Sequence, residues 1–160
     1  VVYEVGVDGG AYMFYAQKTT SNTYELTVNG ACNASAFNQG SDRDLKDNIQ
    51  VIDNAIDRIR KMNGYTYTLK ENGMPYAGVI AQETLEAIPE AVGSMMKYPD
   101  GGSGLDGEEG ERYYTVDYSG VTGLLVQVAR ESDDRITALE EENAELRQRL
   151  SAIDAALASK

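Results

Sequence analysis

Along this chain the apolar residues first alternate with polar ones, then recur at spacings of three and four. The change of period marks out the elements. Val1 to Val7, Ala11 to Ala16 and Tyr24 to Val28 are rich in Val, Tyr and Phe, and Asp8-Gly9-Gly10, Ser21-Asn22 and Asn29-Gly30 separate or end them. β-Branched and aromatic runs bounded by turn formers predict three short β-segments joined by tight turns. About forty residues of this kind bury little by themselves, so they are expected to pack on copies of themselves or on an upstream region.

From Asn48 the period becomes helical: Ile49, Ile52, Ala55, Ile56, Ile59 and Met62 share one face, with Asp53, Asp57, Arg58 and Lys61 between them. This predicts an amphipathic helix that stops near Asn63-Gly64. Tyr65 to Leu69 alternates as a strand, Asn72-Gly73 supplies a hairpin turn, and Pro75 to Ile80 returns. Ala81 to Ile88 reads as a short helix ended by Pro89, and Ala91 to Tyr98 as extended chain. Asp100 to Glu111 is acidic and glycine-rich, but its carboxylates miss the alternating positions of a calcium loop, so a solvated loop is expected. Tyr113 to Tyr118 is a strand candidate feeding a last helical segment.

The distal half of that segment carries the clearest periodicity. Ile136, Leu139, Asn143, Leu146, Leu150, Ile153 and Leu157 alternate spacings of three and four, the a/d seam of a coiled coil with Ile136 and Asn143 both at a. In a parallel coil each g residue faces the e residue five places later on the neighbouring helix. Those pairs are Arg135 with Glu140, Glu142 with Arg147, and Arg149 with Asp154, all opposite in sign. Parallel self-association is therefore favoured over an antiparallel helix folded back on its own domain. Asn at an a position suits dimers, and mixed Leu and Ile at both seam positions leaves trimers open.

Composition narrows the chemistry. The formal net charge is −12 over 160 residues, which argues against a phosphate-backbone partner and hence against nucleic acid. Apolar runs stay well short of the roughly 20 residues that span a bilayer, and Val1-Val2-Tyr3-Glu4 lacks the basic start of a leader. A membrane is not an expected partner, and the chain reads as a piece cut from a longer one. Cys32 is the single cysteine, so an intrachain disulfide is excluded. There is no histidine, which removes Ser-His-Asp and Cys-His catalysis together with every His-containing metal site. No metal and no cofactor are expected.

A serine nucleophile in such a chain needs another base, and lysine is the natural one, because burial can make its neutral amine accessible near pH 7. Ser41 and Lys46 stand in Gly40-Ser41-Asp42-Arg43-Asp44-Leu45-Lys46-Asp47-Asn48, at the junction of the β-rich and helical regions. Taken alone, Ser41 resembles the N-cap of the following helix, with Asp44 where a capping box places Glu. The alternative is attack of the Ser41 hydroxyl on the Gly40 carbonyl, an N-to-O acyl shift followed by hydrolysis, with Lys46 as base. Gly40, lacking Cβ, could hold backbone angles that open its carbonyl to attack. Five residues do not align two side chains on one helix, so Ser41 and Lys46 meet only if the backbone turns between them. A strand-loop-helix junction would provide such a turn.

"SDRDLKDNI" (Ser41 to Ile49), "GVIAQE" (Gly78 to Glu83) with Ile88-Pro89-Glu90-Ala91-Val92, and "VDYSGV" (Val116 to Val121) before a terminal helix resemble the peptidase S74 family. These are C-terminal intramolecular chaperone domains of bacteriophage tail spikes and fibres, and the resemblance covers Ser41 to about Lys160. It implies an α+β fold: a short β-rich shaft end at 1–40, a small chaperone core at 41–131, and a long helix with a coiled coil at 132–160. The helix would form a parallel homotrimer. The resemblance implies a chaperone that aligns three chains of a fibre or spike and then excises itself between Gly40 and Ser41 with a Ser41/Lys46 dyad. The partners implied are two further copies and the upstream shaft of the same chain. Assembly would take place in the host cytoplasm, the N-terminal part would stay in the virion tail, and the released domain would not. The second reading is a permanently attached trimerisation module with Ser41 as a cap. The stretch from Asp100 to Glu111 is longer than the family core needs.

Overall fold

The computed structural model describes residues 2–6, 12–18, 24–28, 30–97 and 109–159. The turns expected at Asp8-Gly9-Gly10 and Ser21-Asn22, and most of the acidic glycine-rich stretch, lie outside the described residues. Two compact units are present, residues 1–49 with 94–115, and residues 50–93 with 116–160.

The first unit begins with an antiparallel meander, β1 (Val2–Gly6), β2 (Tyr12–Lys18) and β3 (Tyr24–Val28), in the order β1-β2-β3. Val2 pairs with Gln17 and Glu4 with Tyr15, and Phe14 pairs with Val28 and Lys18 with Tyr24. These are the three β-segments the alternation predicts. Residues 30–40 follow as irregular exposed chain, leading to a single 3-10 turn, Arg43–Leu45.

The second unit holds the core. Helix α1 (Ala55–Ile59) is far shorter than the periodicity predicts. Asn48 and Asn54 both take positive φ, 53° and 50°, a conformation Asn tolerates better than most residues but a helix does not. Arg58 holds the irregular chain before the helix, donating from Nε to the Asp53 carbonyl oxygen at 2.8 Å and from Nη2 to its carboxylate at 2.6 Å. The spacing of Ile52, Ala55 and Ile59 thus marks a buried face without requiring a continuous helix.

Strands β4 (Tyr65–Thr68) and β5 (Pro75–Gly78) form the expected hairpin, Tyr65 opposite Gly78 and Thr68 opposite Pro75. Gly73 supplies the positive φ of 68° that its turn requires. Helix α2 (Ala81–Ala87) ends before Pro89, which opens a 3-10 turn over Pro89–Ala91. Strands β6 (Val92–Lys97) and β7 (Glu111–Val116) pair in a two-stranded sheet. Helix α3 (Tyr118–Ala158) then runs for 41 residues, roughly 60 Å at about 1.5 Å per residue. Tyr118, expected in the strand, is its first residue, because the Asp117 carboxylate accepts from the Ser119 N–H at 2.8 Å and caps the helix there.

The core comprises Ala55, Met62, Ala87, Ile88, Ala91, Val121 and Leu124, flanked by Ile52, Ile59, Val79, Val116 and Val128. Small residues allow close approach: Gly120 lies against Ala91, and the Asp117 N–H donates to the Ala91 carbonyl at 2.8 Å. Thr84, fully buried, satisfies its hydroxyl on the Ile80 carbonyl at 3.0 Å. From Asp133 to Ser159 every residue is exposed, so among the described residues of its own unit nothing buries the distal half of α3. The architecture is mixed α+β, with small sheets and one long C-terminal helix.

Candidate functional site

The 3-10 turn at Arg43–Leu45 is built by its first residue. Asp42 sits in extended backbone and its carboxylate accepts from the Asp44 N–H at 2.9 Å. The Leu45 and Lys46 N–H groups then close on the Asp42 and Arg43 carbonyls at 3.3 and 3.1 Å. The cap of this turn is therefore Asp42, and the reading of Ser41 as a helix cap is corrected. The hydroxyl of Ser41 has a different partner.

One turn of chain reverses direction enough to bring residues five apart together. The Lys46 ammonium donates to Ser41 Oγ at 2.7 Å and to the Ser41 carbonyl oxygen at 3.1 Å. This meeting depends on a turn, as the five-residue spacing requires, although an isolated 3-10 turn in irregular chain replaces the strand-loop-helix junction expected. Both side chains are exposed, beside an open depression lined by Arg43, Asp44, Lys46, Asp47, Asn48 and Ile49. Hydrogen-bond reach between a hydroxyl and an amine is the geometric condition for an activated serine.

Gly40 does not use the freedom expected of it. Its φ lies outside the positive region that favours glycine, and a Cβ placed on it would meet Leu45 Cδ1 at an ordinary 3.7 Å. Ile136, Leu139, Asn143, Leu146, Leu150, Ile153 and Leu157, expected to form a coiled-coil seam, are all exposed on α3. In the single chain Asn143 donates to the Leu139 carbonyl at 2.8 Å, and Arg149 pairs with Glu145 at 2.5 Å within the helix. Cys32 is free and exposed. Among the described residues no group of three or more Cys, Asp or Glu is placed to hold a metal ion, and no helix is long and apolar enough to cross a membrane.

Two carboxylates play parts that sequence reasoning missed. Glu131, on α3, accepts from the Ala55 and Ile56 N–H groups at 2.9 and 3.0 Å and closes the start of α1. Those amides hold its carboxyl below the ordinary value. Glu83 accepts from the Tyr65 hydroxyl at 2.6 Å and the Asn63 N–H at 2.9 Å, joining α2 to β4. Tyr65 lowers the Glu83 carboxyl and is itself raised. Nothing local in the sequence links Glu131 to residues more than seventy positions away. Asp42 could have been found, since Asp is as good an N-cap as Ser.

Residues 41–93 match the Peptidase S74 family, the chaperone of endosialidase. This is the family the quoted motifs resemble, and the match begins at the proposed nucleophile. The chain is also 36% identical over 93 residues to long tail fiber protein Gp37 of Escherichia phage AR1, covering 52% of this chain and 7% of that protein. It is 30% identical over 105 residues to Gp37 of Enterobacteria phage K3, covering 62% of this chain and 8% of the relative. Gp37 of Enterobacteria phage T2 matches at 30% over 105 residues, 62% of this chain and 7% of the relative. The chain thus spans less than a tenth of the length of these relatives.

Proposed function

We propose that this chain is the chaperone-bearing end of a phage tail fibre or spike, which brings three copies together through α3 and then cuts itself between Gly40 and Ser41. The observation that carries this reading is the 2.7 Å contact between Lys46 Nζ and Ser41 Oγ, within the segment matching the S74 family. Ser41 Oγ attacks the Gly40 carbonyl carbon, Lys46 in its neutral form takes the hydroxyl proton, and the Ser41 nitrogen leaves with a proton returned to it. Water then hydrolyses the Gly40 ester, regenerating the Ser41 hydroxyl and freeing the carboxylate of Gly40.

A lysine needs shelter from water to act as a base near neutral pH. The exposure of Lys46 in the single chain therefore fits a site that fires once neighbouring copies cover it. The exposed seam and its complementary flanking charges support a parallel homotrimer as that assembly. Holding three C-termini together turns an encounter of separate chains into a local search, which helps β-shafts built from nonlocal pairs to find register. The β1-β2-β3 meander would then be shaft, retained in the virion tail, and residues 41–160 the released piece, with assembly in the host cytoplasm.

Denaturing mass spectrometry of the purified chain beside Ser41→Ala tests this. Fragments ending at Gly40 and beginning at Ser41, in the unsubstituted chain alone, are the expected result. Intact chain in both, under conditions where the protein is trimeric, would refute self-cleavage.

A further inference from the structure

The proximal half of α3 presents two adjacent faces, and among the described residues of its unit only one is covered. Val121 and Leu124 are buried against α1 and the Pro89–Ala91 turn, and Val128 packs beside them. One residue further round, Leu125 and Val126 remain 49% and 58% exposed while Leu124 is fully buried. Extending the heptad backwards from Ile136 places Ala129 at a and Leu125 at d. The flanking e position is Val126, apolar where the distal e positions are Glu140, Arg147 and Asp154.

We infer that the interchain seam begins at Leu125, so that two further copies of this chain cover Leu125, Val126 and Ala129 alongside the folded core. This rests on the trimeric reading above. The occupant follows from the continuity of the helix: α3 is unbroken from Tyr118 to Ala158 and contains no proline. Leu125 lies only 11 residues before Ile136, roughly 16 Å along the axis. Helices in contact at Ile136 and crossing at about 20° separate by no more than roughly 6 Å over that rise. Ser132, at the intervening d position, is small and leaves room for close approach. A copy that meets Ile136 therefore also meets Ala129 and Leu125. The coil is then part of the chaperone core, with Val121 and Leu124 facing α1 and Leu125 and Ala129 facing the partners.

Single-cysteine chains in a Cys32→Ser background test this, using Ala129→Cys and Ile136→Cys at a positions and Arg130→Cys at the outward b position. Facing a residues in a parallel coil come within disulfide range, about 4.4 to 6.8 Å between Cα atoms. After mild oxidation, non-reducing electrophoresis is expected to show linked chains for Ala129→Cys and Ile136→Cys, and none for Arg130→Cys. Linkage at Ile136→Cys without linkage at Ala129→Cys overturns the extended seam and leaves the distal trimer standing. Monomeric mass and no linkage at either position overturn both. Leu125→Glu, at a site outside the chain's own core, is expected to retain its helical circular dichroism and to weaken association at least tenfold or so in sedimentation equilibrium. Unchanged association of that variant would also count against the inference.

Discussion

Lys46 Nζ touches Ser41 twice, donating to Oγ at 2.7 Å and to the carbonyl oxygen at 3.1 Å. Two acceptors on one residue hold the ammonium beside the hydroxyl, with no other side-chain partner among the described residues. Proton abstraction needs an amine that can lose its charge, which separates lysine from arginine at this position. Lys46→Arg keeps a donor and a positive charge but cannot act as base. Its cleavage is expected to fall by about a hundredfold or more, with trimer assembly retained. Time courses by denaturing mass spectrometry, with sedimentation as the assembly control, check this. Normal cleavage by Lys46→Arg would remove Lys46 from the chemistry.

Asp42 acts on the pair through the backbone. Its carboxylate caps the turn that returns Lys46 to Ser41, and loss of such a cap costs about 0.5 to 2 kcal/mol. Asp42→Ala is expected to slow cleavage by roughly two- to thirtyfold, whereas Asp42→Asn, which caps equally well, restores it. Equal rates in all three proteins would show that the turn forms without its cap.

Glu131 gives the second unit an acid-sensitive clasp. Its folded-state pKa lies below the ordinary 4.5 because the Ala55 and Ile56 amides donate to the charged form. The native state thus holds the carboxyl proton less tightly than the unfolded chain. The stabilisation is fully present above about pH 4.5 and fades as pH falls through the lowered folded value. Glu131→Gln keeps one carbonyl acceptor and loses the other. It should melt below the unsubstituted protein at pH 7, with the gap narrowing toward pH 3. A gap independent of pH in thermal unfolding would contradict this role.

Gly120 and Gly123, three residues apart on α3, predict opposite responses to the same change. A Cβ on Gly120 would lie 2.6 Å from Ala91 Cβ and 3.2 Å from its Cα, and such overpacking costs about 1 to 3 kcal/mol. A Cβ on Gly123 meets only Ile52 Cδ1 at 3.9 Å, so Gly123→Ala gains about 0.5 to 1 kcal/mol from the helix preference of alanine. Denaturant unfolding of the two variants should shift in opposite directions. A shared sign would mean that the contact between α3 and the Pro89–Ala91 turn is looser than described.

The features legible in the chain's residues alone are local ones. Alternation and turn residues located β1 to β5, Pro89 ended α2, and spacings of three and four marked an exposed apolar stripe on α3. Short-range sterics and side-chain periodicity act within a few residues, so they can be read from one. The residues around Ser41 and Lys46 left a cap and a catalytic pair both open, and the pair was singled out only by the resemblance of its nine-residue motif. Tertiary structure decided the rest. The apolar spacing from Ile49 to Met62 records which side chains are buried, and this would look the same whether the backbone were one helix or irregular chain leading into α1. The difference was settled by Asn48 and Asn54 at positive φ and by Glu131 capping the shortened helix from far along the chain. Ser41 lost the cap to Asp42 for a related reason: either side chain can satisfy an amide, and the turn geometry chose between them while Lys46 took the hydroxyl.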